Sequence, residues 1–285
     1  MFVNSNDLPA LLPYYKIKLK ALYDEKEIEN IFHYMVFFEF GITKSEIRIS
    51  TRRLSESELL NQRAIVKRLL TAEPIQHVVG KVEFYDSIIK VNNHTLIPRP
   101  ETEELVDLIL KEHGTPPLTL LDIGTGSGCI PIAIKKNRPL WAVSGLDISE
   151  NALVIANENA SSNKLAIDFI AEDILNPQQQ PSVKYDIIVS NPPYVLVSDK
   201  EKMANNVLQF DPHLALFVSD EDPLLFYRSI LNYSNLHLKV NGWIYFEIHE
   251  SFGKEMNALL ASFGYKNISV LPDLQGKDRM VIGQR

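Results

Sequence analysis

The chain has a single cysteine among its 285 residues, which excludes a disulfide framework and a zinc site built on paired cysteines. Long apolar runs are also missing. One of the longest is Tyr34-Met35-Val36-Phe37-Phe38, well short of the ~18–20 residues that a membrane span requires. There is no excess of positive charge: 29 Lys and Arg face 36 Asp and Glu, for a formal net charge of −7. Sequence-independent binding to nucleic acid rests on Lys and Arg neutralising phosphates. This balance leans against a nucleic-acid enzyme without excluding one, and no stable nucleic-acid partner is expected. The first residues, Met1-Phe2-Val3-Asn4-Ser5-Asn6-Asp7, have neither a basic region before an apolar core nor an Arg-rich, acid-poor composition. A cytoplasmic location without a membrane partner is therefore expected. The seven His show no metal-ligand spacing, so no metal is expected. What is present, 45% hydrophobic and 23% charged residues, is the composition of a globular protein with a sizeable core.

Residues 1–75 read as helical. Asp24 and Glu27 have the spacing of a helix start, and Ile28, Ile31, Phe32, Met35 and Phe38 follow at helical intervals until Gly41. Ser55 and Glu58 repeat the signal ahead of Leu59, Val66, Leu69 and Leu70, and Glu73-Pro74 is expected to stop that helix. From His77 to Leu96, β-branched and aromatic residues are broken by Asp86-Ser87 and Asn92-Asn93, which predicts a hairpin. From about residue 99 the pattern alternates helices with short apolar strands: Leu118–Ile123, Ala142–Leu146, Ala166–Ile170, Tyr185–Val189 and Trp243–Ile248. That alternation signals a mostly parallel sheet covered on both faces. Ile268–Leu271 and Met280–Gly283 flank a polar turn and suggest an antiparallel pair at the edge. The expected fold class is α/β, with a helical domain (1–75), a β-hairpin linker (76–98) and a larger α/β domain (99–285).

The first strand of the α/β region opens into Asp122-Ile123-Gly124-Thr125-Gly126-Ser127-Gly128. Glycines between a strand and a helix bring backbone N–H groups close to a ligand. The dinucleotide spacing needs a glycine where Cys129 or Pro131 stands, and the Lys-Ser/Thr of a nucleotide-phosphate loop is absent. The remaining pattern, D-x-G-x-G-x-G, resembles the loop of class I methyltransferases. That likeness implies S-adenosyl-L-methionine as cofactor, with S-adenosyl-L-homocysteine as its product, and a Rossmann-like fold. Asp147, at the end of the second strand, suits the vicinal hydroxyls of a ribose. It also suits the start of the next helix, although Ser149 can fill that place. By the same resemblance, Asp173 faces the adenine amino group and Ile174 packs on its ring.

At the end of the fourth strand stands Ser190-Asn191-Pro192-Pro193-Tyr194. Consecutive prolines remove two donors and leave carbonyls free to accept. An Asn side-chain oxygen beside such a carbonyl can hold both hydrogens of a planar –NH2, on which a tyrosine ring can stack. Asn191, Pro192 and Tyr194 are thus the candidate catalytic residues, with Asn191 also beside the cofactor and Pro193 completing the cradle for an amide or aromatic amine.

This motif occurs in adenine, guanine and glutamine-amide methyltransferases alike, so its flanks must choose. Thr95-Leu96-Ile97-Pro98-Arg99-Pro100-Glu101-Thr102-Glu103 resembles the segment that precedes the catalytic domain in the HemK family of protein-(glutamine) methyltransferases. Pro74-Ile75-Gln76-His77-Val78-Val79-Gly80 with Glu83-Phe84, Asp211-Pro212 with Ala215-Leu216, Glu247-Ile248 and Asp273-Leu274-Gln275-Gly276-Lys277-Asp278-Arg279 are similar to the same family. The likeness covers roughly residues 70–285. It implies methylation of the glutamine in the GGQ motif of class 1 peptide chain release factors, modulating translation termination, with the N-terminal helices holding the protein substrate. It also places Arg99 over the mouth of the site, as a contact to substrate or cofactor or as a structural ion pair. The chain departs from the family at Asp211, where Glu is usual, at His249, where Gly is common, and at Phe252, near a frequent Gln. His249 is read as a core or helix-start residue and Cys129 as a small apolar one. The alternatives are a glutamine methyltransferase of a large-subunit ribosomal protein, a nucleic-acid amino-methyltransferase and a non-enzymatic cofactor-binding module.

Overall fold

In the computed structural model, which describes residues 5–178, 183–203 and 205–285, helices begin where a polar side chain meets an otherwise unpaired amide. Asp24 accepts the Glu27 amide proton at 2.8 Å and opens the helix Glu25–Phe40, which ends at Gly41 in the left-handed region. Ser55 and Glu58 form a reciprocal capping box at the head of Glu56–Leu69. That helix stops at Leu69, short of the expected break at Pro74, because Ala72 takes a φ of 62° and turns the chain first. His77-Val78-Val79, expected as strand, instead lies in a short helix, Ile75–Val79, between Pro74 and a left-handed Gly80. Pro before and Gly after is a helix frame, and it outweighs the β-preference of two valines.

The chain divides into two units, one made of the described residues of Met1–Lys81 and Ala204–Phe210, the other of those of Val82–Met203 and Asp211–Arg285. The smaller unit is helical. Leu8, Leu11, Tyr15, Phe32, Met35 and Leu69 are fully buried in its core, and the Tyr15 hydroxyl donates to Gln62 Oε1 at 2.7 Å inside it.

The larger unit begins within a hairpin of β1 (Lys81–Phe84) and β2 (Ser87–Lys90). Its turn is Tyr85-Asp86, with φ of 44° and 60°, one residue earlier than the expected Asp86-Ser87. Two consecutive positive φ values match the twist of a two-residue hairpin. The main sheet holds β3 (Thr119–Ile123), β4 (Ala142–Asp147), β5 (Asp168–Ala171) and β6 (Tyr185–Ser190). A small parallel pair follows, β7 (Val195–Leu196) with β8 (Phe217–Val218). The main sheet is completed by β9 (Leu238–Glu247), β10 (Lys266–Pro272) and β11 (Asp278–Gln284), in the order β10-β11-β9-β6-β3-β4-β5.

Strands β5, β4, β3, β6 and β9 pair in parallel, and β11 runs antiparallel to both of its neighbours. This is the mostly parallel α/β architecture with an antiparallel pair at one edge. Neighbouring residues of one strand feed different cores, as in β6, where Ile187 and Val189 join one cluster and Ile188 the other. Both faces are thus covered, which is why these strands read as unbroken apolar runs. From β3 the chain goes first to one side, through β4 and β5, and then to the other, through β6. At such a reversal the loops after the strands separate and leave a crevice.

Candidate active site

That crevice is a cleft of about 290 Å³ at the carboxyl ends of β3, β4, β5 and β6. Short hydrogen bonds tie those ends together. Gly124 and Thr125 N–H groups both donate to the Leu146 carbonyl, at 2.8 and 2.9 Å, and Glu172 N–H donates to the Asp147 carbonyl at 3.0 Å. The Ser190 hydroxyl donates to the Ile123 carbonyl at 2.6 Å. The cleft floor is therefore pinned strand to strand, by backbone bonds among the ends of β3, β4 and β5 and by the Ser190 side chain from β6.

The loop glycines divide their work. A methyl group at Gly126, where φ is 53°, meets nothing within 4 Å, so the missing side chain keeps the cleft open against the backbone. A methyl at Gly128 meets Ala156 and Phe169 at 3.2 Å. That glycine lets the loop pack, and it does not line the cleft, whereas Gly124, Thr125, Gly126 and Ser127 do. The Thr125 and Ser127 hydroxyls are buried and make no well-formed hydrogen bond among the described residues. Asp122, fully buried beneath the loop, has both oxygens in the same condition. Burial pushes its carboxyl up to about 7, opposed by the Thr125 hydroxyl and helped by the charge of Asp147. The two hydroxyls act beneath the loop, Thr125 on Asp122 and Ser127 on Cys129, so what the loop offers a ligand is its open backbone at Gly124 and Gly126.

Asp147 lines the cleft and is already engaged on both oxygens. Oδ2 accepts from Gly126 N–H at 2.8 Å and Oδ1 from Ser149 N–H at 2.9 Å. Each oxygen keeps a second lone pair. Ser149, not Asp147, caps the following helix, accepting from Ala152 N–H at 3.2 Å. Asp173 and Ile174 also line the cleft, with the Asp173 carboxylate accepting from Leu175 N–H at 2.9 Å and from the Asn176 amide at 3.0 Å.

Across the cleft lie Asn191, Pro192 and Pro193. Asn191 Nδ2 donates to Thr102 Oγ1 at 3.1 Å, and the Thr102 hydroxyl donates to Glu247 Oε2 at 2.7 Å. The other Glu247 oxygen accepts from the Tyr194 hydroxyl at 2.9 Å. Tyr194 is thus held at the back of the cradle and is not part of the cleft lining. Its ring lies edge-on to His249, 6.2 Å between centroids. Burial pushes the Glu247 carboxyl up, opposed by the two hydroxyls and by Arg279. Arg99 lines the cleft and donates to Asp211 Oδ2 at 2.7 Å, the Asp211 side chain being only 1% exposed. His249 accepts from Ser251 N–H through Nδ1 at 3.2 Å. Burial pushes the Cys129 thiol up to about 12, far from a reactive thiolate.

Sequence reasoning gave no role to Thr102 or Glu247 within the site, and it passed over Gly145. A methyl there meets Phe169 and the Thr125 hydroxyl at 2.8 Å, so this glycine makes room under the loop. Its only sequence signal is a small residue inside an apolar strand.

The methyltransferase small domain matches residues 102–212 of this chain. The chain is similar to the release factor glutamine methyltransferase of Flavobacterium psychrophilum, 42% identical over 268 residues, covering 92% of this chain and 94% of that one. It is 40% identical over 276 residues to the protein of the same name from Bacteroides thetaiotaomicron, covering 95% and 98%. Among solved structures, a methyltransferase from Pyrococcus furiosus shares the fold, with a TM-score of 0.52 at 15% identity over 79% of this chain and 98% of that one. Identity at the level of the first two relatives, over nearly their whole length, places the protein: the chain belongs to the release factor glutamine methyltransferase family.

Proposed function

We propose that the chain transfers a methyl group from S-adenosylmethionine to the side-chain amide nitrogen of the glutamine in the GGQ motif of class 1 peptide chain release factors. The observation that carries this is one cleft holding the open glycine loop on one side and Asn191-Pro192-Pro193 on the other. When bound, S-adenosylmethionine supplies a methyl group on a positively charged sulfur. The backbone of Gly124, Thr125, Gly126 and Ser127 and the Asp147 carboxylate are the groups to hold it by its polar groups, with Asp173 and Ile174 at the adenine.

An amide nitrogen is a poor nucleophile because its lone pair is delocalised into the carbonyl. Asn191 Oδ1 and the Pro192 carbonyl accept no hydrogen bond from the described residues, which leaves two acceptors for the two N–H bonds of a glutamine amide. Held so, the nitrogen turns its lone pair toward the methyl, and the positive charge growing on it is stabilised by both oxygens. The methylated nitrogen is acidic and loses its proton without a dedicated base. Tyr194 closes the back of the cradle, and Arg99 guards its mouth while paired with Asp211. The helical unit that precedes the hairpin grips the protein substrate. Among the described residues no helix is long and apolar enough to cross a membrane. Action on a release factor puts the proposed reaction with the translation machinery in the cytoplasm.

The test is methyl transfer from labelled S-adenosylmethionine to release factor, its Gln-to-Ala loop variant, ribosomal protein and DNA in parallel. Label on the wild-type factor alone, mapped to that glutamine, is expected. Label on ribosomal protein or DNA instead overturns the choice of amine.

A further inference from the structure

An asparagine side chain has two ends of nearly equal shape and opposite chemistry. In the proposed cradle the oxygen must face the substrate, because Nδ2 in its place sets N–H against N–H. Some neighbour must choose between them. The choice is written in the chain of hydrogen bonds behind Asn191.

Ionised, as the Thr102 and Tyr194 hydroxyls and Arg279 favour against the pull of burial, Glu247 only accepts. Its side chain is enclosed, at 1% exposure, as is Thr102 at 3%. The single Thr102 proton is committed to Glu247 Oε2 at 2.7 Å. What the hydroxyl then presents to Asn191 is a lone pair, and only Nδ2 can meet it, as it does at 3.1 Å. The donors all run one way, from Asn191 to Thr102 to Glu247. The far end of the amide, Oδ1, is left toward the cleft that Asn191 lines. The second Glu247 oxygen fixes Tyr194 by the same logic. Arg279 and Glu101 are the charged groups that act on this carboxylate. A buried carboxylate is a poor choice for packing alone, since an apolar side chain fills the space without losing hydration.

We propose that Thr102 and Glu247 are positioning residues that set which end of the Asn191 amide faces the incoming glutamine; the assignment rests on the cleft being the seat of glutamine methylation. Neither touches the substrate in this scheme, and both act through Asn191, with Glu247 also orienting Tyr194.

The experiment uses the full chain with full-length release factor, and measures S-adenosylhomocysteine binding by calorimetry and melting temperature beside turnover. Thr102→Val keeps the shape and removes the hydroxyl. Its kcat is expected to fall about 30-fold or more, within the range seen when one oriented polar contact is lost. Product binding stays near that of the wild type, melting temperature falls by only a few degrees because one buried Glu247 oxygen loses its donor, and KM for the release factor changes less than kcat. Thr102→Ser restores the hydroxyl and brings kcat back to within about threefold. Glu247→Gln places an –NH2 against either Thr102 or Tyr194 and reverses one of the two hydrogen bonds, so kcat falls about tenfold or more. The proposal is overturned if Thr102→Val keeps turnover within about threefold of the wild type. Equal losses in Thr102→Ser and Thr102→Val, or turnover lost together with product binding, also overturn it, since either outcome assigns Thr102 to the fold. A wild-type chain that leaves the release factor unlabelled overturns the functional reading itself, and is seen before any variant is made.

Discussion

Asp147 and Gly126 are joined by a 2.8 Å hydrogen bond in which the carboxylate at the end of β4 accepts the amide proton of the middle glycine in the loop after β3. The same carboxylate turns the chain toward the next helix through Ser149 N–H. One side chain therefore ties together the two neighbouring loops, after β3 and after β4, that form one side of the cleft.

Asp147→Asn tests what that carboxylate does beyond holding loops. The amide keeps one acceptor and sets an –NH2 against the second backbone N–H. Stability is expected to drop by about 1–2 kcal/mol, and S-adenosylhomocysteine affinity by about tenfold or more. Denaturant unfolding and calorimetry read the two separately. Affinity equal to the wild type leaves Asp147 a purely structural tie.

Gly126→Ala and Gly128→Ala should separate along different axes. Both force a left-handed backbone on alanine, at about 1–2 kcal/mol. At Gly126 the new methyl enters open cleft, so ligand affinity falls more than stability. At Gly128 it presses on Ala156 and Phe169, adding about 1–3 kcal/mol of overpacking. The Gly128 variant should therefore unfold first in urea, and the Gly126 variant should bind product worst.

Asp122 makes stability depend on pH near neutrality. Its folded carboxyl sits at about 7, above its ordinary 3.8, with Thr125 and Asp147 acting on it and the Cys129 thiol close by. Because the native state holds the proton more tightly, the stability from this group is fully present below 3.8 and is lost as pH rises through about 7. The full span is on the order of 4 kcal/mol. Melting curves of the cofactor-free protein should fall from pH 5 to 8, and those of Asp122→Asn should fall less. Parallel slopes in the two proteins would remove Asp122 as the cause.

Arg99 and Asp211 test an ion pair with one buried partner. The Arg99 side chain is 36% exposed and that of Asp211 only 1%. Arg99→Ala takes the guanidinium away from a buried carboxylate, at about 2 kcal/mol after allowing for solvent on the arginine side. Arg99→Ala combined with Asp211→Asn should cost less than the two single changes together, which a double-mutant cycle measures. Strict additivity would show the pair to be uncoupled.

What could be read from the sequence was what local chemistry dictates. Asp24 and Ser55 announce their helices because a cap acts over three residues. The parallel strands announce themselves because burial on both faces leaves no polar register. Tertiary pressure was harder to see. Nothing local marks Tyr85 as a turn residue at φ 44°, and Val78-Val79 look like strand until Pro74 and Gly80 are weighed as a frame. In the site, the residues facing the cleft came from contiguous motifs, each at the end of a strand except that of Arg99, which precedes the helix Pro100–Glu112. Thr102 and Glu247 are 145 positions apart, and their hydrogen bond exists only once helix and sheet have met. No spacing rule reaches that far.

The order of the strands along the chain also sets a timetable. Loop residues 124–128, Asp147 and Asn191 all precede β9, and Glu247 lies 53 residues beyond Tyr194. A chain emerging from the ribosome therefore completes its glycine loop early and secures the amide opposite it late, when the last parallel strand joins the sheet. A proteolytic nick between β8 and β9 divides the molecule along the same line, leaving the loop with its strands on one fragment and the anchor of the amide on the other.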